Sequence, residues 1–217
     1  MTEETAQISG SLVRLNEPAP DFTAVTTHGT IKLSDYHGKW VVLFSHPADF
    51  TPVCTTEFVG FSKLYDEFKK RNTELIGLSV DSVYSHIAWV RNIEQNFGIK
   101  VPFPVIADSD MRVAKLYGMI HPGADSTATV RAVFVIDDKG VLRAMIYYPL
   151  TNGRSIPEVL RIVEALQTHD AYNVATPANW QPGDKVIVKP PLTASGAEER
   201  VHENYEVKDW YFALKDL

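Results

Sequence analysis

Apolar and polar positions along the chain fall into short runs whose period changes repeatedly. Trp40 to Ser45 (WVVLFS) is short and almost wholly apolar, as a buried strand requires, and Pro47 and Pro52 then interrupt the pattern. From Phe58 the period lengthens. Phe58, Phe61, Leu64, Tyr65 and Phe68 recur at three- and four-residue steps, with Lys63, Asp66, Glu67 and Lys69 between them, which predicts an amphipathic helix. Glu74 to Val80 (ELIGLSV) predicts the next strand, and Ile87, Val90, Ile93 and Phe97 a second helix closed by Gly98. FPVIAD predicts another strand, and Met111, Ala114 and Tyr117 a short helix ending at Gly118. AVFVI and VLRAMIYYP flank the turn sequence DDKG and predict a hairpin. Ser155 and Glu158 stand at capping-box spacing before an apolar stripe at Ile156, Val159, Leu160, Val163 and Leu166, which predicts a long helix.

Strands alternating with helices, then a hairpin and a helix, imply an α/β fold with a sheet that is parallel in part and covered on both faces. Beyond residue 168 the sequence becomes proline-rich and loses helical period, which predicts a separate extended segment ending in NYEVKDWYFALKDL. Charge acts mainly by exclusion. With 21 Lys and Arg against 27 Asp and Glu, a net −6, the chain lacks the basic surface that nucleic acids or anionic membranes attract. The N-terminal MTEETAQISGSLVRL has no basic stretch leading into an apolar one, and no window is apolar enough to span a bilayer, so a cytoplasmic protein is expected.

The candidate chemistry lies in FSHPADFTPVCTTEF, which holds the sole cysteine, Cys54. One cysteine makes neither an internal disulfide nor a zinc-thiolate cluster, and a lone buried cysteine is commonly inert. Its context argues for reactivity. Thr51 suits a helix N-cap, Pro52 the first helical position, and Cys54 then falls on the third, where the helix's positive end favours an anion and hence a thiolate. The seven histidines show no HxxxH spacing, so no metal is expected.

PADFTPVCTTE also resembles the peroxidatic-cysteine motif of the peroxiredoxins, and with FSHP before it the stretch is similar to the one-cysteine, peroxiredoxin 6 type of the AhpC/TSA superfamily. NEPAPDF, ADSDMRVAKLYGM, VRAVFVID, YYPLTNGRSIPEVLRIVEALQ and NWQPGDKVIVKPP extend the likeness over nearly the whole chain. The resemblance implies a thioredoxin-like domain over 8–168 and a C-terminal dimerisation arm over 169–217. It implies, without a cofactor, reduction of hydrogen peroxide and organic hydroperoxides through a Cys54 sulfenic acid. With no second cysteine, an external thiol must reduce that acid. Pro47, Thr51, Cys54 and Arg131 match the motif's catalytic positions, and Arg154 in NGRS the branch's second arginine. Pro47 would shield the thiolate, Thr51 orient the peroxide, and Arg131 hold sulfur and peroxide oxygens. His46 would bond the sulfur or a reducing thiol, or serve as a structural histidine.

Arg131 alternates with Val133 and Val135, so it is either an exposed strand end or a buried cation needing an anion; Arg154 lies in a turn where solvation would suffice. A homodimer, or a decamer of five dimers, is implied. A holdase chaperone or a peroxide sensor is the alternative from another class. A lipase, described for some members, lacks its serine between Gly38 and Phe44, and a dithiol oxidoreductase lacks the CxxC pair.

Overall fold

A computed structural model describes residues 13–217, so the domain start expected at residue 8 lies outside the described residues. The chain separates into two compact units, one ending at Ile156 and the other running from Pro157 to Leu217.

In the first unit β1 (Thr23–Thr26) and β2 (Gly29–Lys32) form a hairpin. Then follow β3 (Trp40–Ser45), α1 (Pro52–Lys63), α2 (Tyr65–Lys70), β4 (Thr73–Ser79), α3 (Val83–Phe97), β5 (Val105–Ala107) and α4 (Arg112–Leu116), before the hairpin of β6 (Arg131–Ile136) and β7 (Leu142–Tyr148). The sheet order is β2-β1-β5-β4-β3-β6-β7. β3, β4 and β5 are parallel and the remaining pairs antiparallel, which gives the mixed sheet expected of a thioredoxin-like fold.

Alternation along the central strands sends side chains to two cores. Val41, Leu43, Ile76, Leu78, Ile106, Phe134 and Ile136 share one with Val113, Ala114 and Tyr117. On the other face Phe44 meets Phe58 and Phe61 of α1 and Phe103, with ring centroids 5.6, 4.1 and 5.6 Å away. Each of these buried rings contributes about 1.5–3 kcal/mol by leaving water. Position 77 is glycine where this face is tight: a Cβ there would stand 3.2 Å from Phe58 Cζ and 3.5 Å from Phe44 Cζ. Sheet and α1 are thereby pressed together at the helix that carries Cys54.

Two local differences from the sequence reading have physical causes. The helix expected to run on through Phe68 breaks at Leu64 (φ −97°, ψ 4°), and the apolar stripe conceals the break because α2 resumes the same period. The β1–β2 hairpin was not predicted, because its four-residue strands are mostly polar and exposed on one side.

In the second unit α5 (Ile156–Tyr172, all but its first residue) precedes β8 (Val186–Val188), α6 (Ala194–Arg200), β9 (Glu206–Asp209) and β10 (Phe212–Lys215). Its three strands pair in the order β8-β10-β9, over a small core of Val174, Trp180 and Val186 with Ala165 against it. The aromatic C-terminal stretch is therefore a β-hairpin.

Candidate active site

The start of α1 is the one the capping residues dictate. Thr51 is extended (φ −107°, ψ 145°), Pro52 is the first helical residue and Cys54 the third. The Thr51 hydroxyl, however, caps nothing: it donates to the Ala48 carbonyl at 2.9 Å. That uses its proton and leaves its oxygen lone pairs as acceptors. Before it, Phe50 takes a left-handed conformation (φ 55°), unusual for a bulky residue, and lies exposed. Pro47 and Thr51 are half-buried on this loop.

Arg131 opens β6. Val133 pairs with Phe44, so Arg131, two residues away, shares the face on which α1 packs. The strand-end alternative is thereby excluded, since Arg131 is 3% exposed. Its Nη1 donates to Cys54 Sγ at 3.3 Å and to Glu57 Oε2 at 2.7 Å, and its Nε to the Leu150 carbonyl at 2.9 Å. Arg154 is not solvated either. Its Nη2 and Nε reach Glu57 Oε2 and Oε1 at 2.7 and 2.9 Å, its backbone N–H donates to Oε1 at 2.8 Å, and its Nη1 donates to the Ala132 carbonyl at 2.9 Å. The guanidinium lies over Phe44 and Phe61, 5.3 and 5.7 Å from their centroids.

Glu57 is the residue that sequence reasoning missed. It stands three positions after Cys54, on the same helix face, and is buried. Burial alone would raise its carboxyl pKa, but the charge and hydrogen bonds of Arg154, with the charge of Arg131, hold it below the ordinary carboxylate value. The signal available was two arginines assigned to one site with no anion beside the sulfur. Two buried guanidiniums against one carboxylate leave one positive charge. An anionic Cys54 sulfur brings the cluster to neutrality.

His46 is turned to another task. Its Nε2 lies 2.9 Å from Asp49 Oδ1, and Nδ1 has no hydrogen-bond partner among the described residues. Burial pushes the imidazole pKa down, only partly offset by Asp49. His86 Nδ1 lies 2.8 and 3.0 Å from the Asp49 oxygens and its Nε2 3.0 Å from the Ile106 carbonyl. Asp49 would be raised by burial, yet the hydrogen bonds of both histidines hold its carboxyl well below the usual range. Among the described residues these three form the one grouping whose donor atoms, within 4.8 Å of one another, suit a metal; their separations are those of hydrogen bonds.

The geometry thus unites Cys54, Arg131 and Arg154 through Glu57, sets Pro47 and Thr51 on the loop feeding the same helix, and commits His46 to Asp49. Similar proteins agree with that architecture. Residues 15–145 match the AhpC/TSA family and residues 165–204 the C-terminal domain of 1-Cys peroxiredoxin. A peroxiredoxin of Aquifex aeolicus is 63% identical, covering 95% of this chain and 98% of that one. A peroxiredoxin of Methanosarcina mazei is 53% identical over 93% and 96%. The solved yeast mitochondrial 1-Cys peroxiredoxin, described with its thiol resolution through glutathione/thioredoxin systems, superposes with a TM-score of 0.85 at 45% identity, covering 95% of this chain and all of that one. Peroxiredoxin 6 of Arenicola marina gives 0.84 at 39% identity, over 94% and 98%. A thioredoxin-like fold, a single cysteine under a buried arginine and relatives of this closeness lead to one conclusion: the chain belongs to the AhpC/TSA family and is a thiol-dependent peroxidase, a peroxiredoxin of the one-cysteine type.

Proposed function

We propose that Cys54 is the peroxidatic residue, and that Arg131, Thr51 and Pro47 build the peroxide pocket around it with Arg154 as support. The observation that carries this reading is the 3.3 Å contact of Arg131 Nη1 with Cys54 Sγ inside a buried cluster left one charge short. The Cys54 thiolate attacks the terminal oxygen of a hydroperoxide, ROOH. The S–O bond forms as the O–O bond breaks, the terminal hydroxyl stays on sulfur as Cys54–SOH, and RO⁻ leaves and takes a proton from water. Arg131 donates to the oxygens as charge moves onto the leaving group. Thr51, its proton spent on Ala48, accepts the peroxide O–H and so fixes which oxygen faces sulfur. Arg154 acts through Glu57, holding the carboxylate that holds Arg131.

No second cysteine is present, so an external thiol condenses with Cys54–SOH, releasing water, and a second thiol frees Cys54 as a disulfide is formed. Glutathione or thioredoxin, named with the yeast relative, are the reductant classes to try first. Hydrogen peroxide and organic hydroperoxides both fit a site whose donors address only the O–O group. A lone reduced cysteine fits a reducing cytoplasm. The named relatives favour the peroxidase over a holdase or sensor.

Replacing Cys54 by Ser tests the reading. Thiol-dependent peroxide consumption is expected to vanish, whereas retained turnover would overturn it.

A further inference from the structure

The loop from His46 to Thr51 delivers Pro47 and Thr51 to the peroxide pocket, and its ties run away from that pocket. Asp49 lies between His46 on β3's extension and His86 on α3, all three buried, and its backbone N–H donates to Asp81 Oδ2 at 3.1 Å. His86 bridges two buried acceptors, the Asp49 carboxylate at Nδ1 and the Ile106 carbonyl at Nε2, and so ties the loop to α3 and β5. The next residue, Phe50, occupies the left-handed region that costs a bulky side chain strain. That turn reverses the chain so that Thr51 can be extended and start α1. Strain of this kind persists only where neighbours over-determine it; here the Thr51–Ala48 hydrogen bond spans the turn, and the partners of Asp49 anchor the residue before it. Neither Asp49 nor His86 has a hydrogen bond to Cys54, Arg131, Glu57 or Arg154 among the described residues.

We propose that Asp49 and His86 form a buried clamp that acts as a positioning device for peroxide reduction. By holding the strained turn at Phe50 it sets Thr51 and Pro47 over Cys54, and it does so without contributing to the charge cluster around the sulfur. The proposal rests on the reading that peroxide reacts at Cys54 with Thr51 orienting it. That reading has its own control, oxidation of wild-type Cys54 by peroxide, whose failure would be distinct from failure of the clamp.

The test pairs two reactions of one sulfur in the full chain. Stopped-flow rates with hydrogen peroxide and alkylation rates with iodoacetamide are measured for wild type, Asp49→Asn, His86→Gln, Thr51→Val and the double variant of Asp49→Asn with Thr51→Val. Asp49→Asn and His86→Gln are each expected to slow the peroxide reaction by about 10²-fold, the cost of misplacement by an ångström, while alkylation, which does not need Thr51, stays equal or rises. In the Asp49→Asn background, Thr51→Val is expected to cost less than twofold, because the hydroxyl it removes is already misplaced. Unchanged peroxide rates, a parallel fall in both reactions, or fully additive effects would each overturn the clamp. If Asp49→Asn does not fold, the same cycle is run on His86→Gln. If neither folds, the triad is a stability element and the positioning role is wrong.

Discussion

Glu57 joins the site's two cations. Its two oxygens take four hydrogen bonds from Arg131 and Arg154 at 2.7–2.9 Å, so the angle at which Arg131 addresses sulfur depends on a side chain that never meets substrate. Glu57→Gln strips the carboxylate from two buried guanidiniums. Breaking a buried pair costs about 3–5 kcal/mol. The melting temperature should fall by roughly 6–20 °C, read by thermal unfolding. Arg131→Lys tests the donor itself: a point ammonium cannot reach Cys54, Glu57 and Leu150 together, and the second-order rate with peroxide should drop about 10²–10³-fold, read by stopped flow. Cys54 was legible because capping rules are local, four residues deciding one helix start. Arg131 needed only strand alternation to be placed on a face. Glu57 and the buried state of Arg154 were not legible, since their partners lie 74 and 97 residues away in sequence, and His46 stayed open between a sulfur partner and a structural histidine because His86, which completes its buried cluster with Asp49, lies 37 residues from Asp49.

The parallel strands and the helices between them declared themselves through apolar runs and the 3.6 period, both of which report burial directly. What burial does not report went unseen: the half-exposed β1–β2 hairpin and the single-residue break at Leu64. Contact between sheet and α1 is tight at Gly77, where Phe58 closes to 3.2 Å of a would-be Cβ. Gly77→Ala should therefore push Phe58 and the start of α1 outward, destabilising the fold by about 1–3 kcal/mol, as chemical denaturation would measure. Because Cys54 is on the same helix, its peroxide rate should fall with it, although the substitution adds only one methyl group.

Charge burial across the chain also sets its response to acid. Glu57 and Asp49 have folded-state pKa values below their ordinary 4.5 and 3.8, so their stabilisation is present above those values and is lost as pH falls through the folded ones. His46, held below its ordinary 6.5 by burial, adds an earlier loss: the unfolded chain takes up a proton that the folded chain resists. Unfolding midpoints should decline as pH drops below about 6.5 and steeply in the carboxylate range, and His46→Gln should remove the first part. The claim on which everything else depends is that the lone sulfur under Arg131 is where peroxide reacts. One equivalent of hydrogen peroxide, followed by a sulfenic-acid trap and peptide mass mapping, should place a single adduct on Cys54; peroxide consumed with Cys54 unmodified would contradict it.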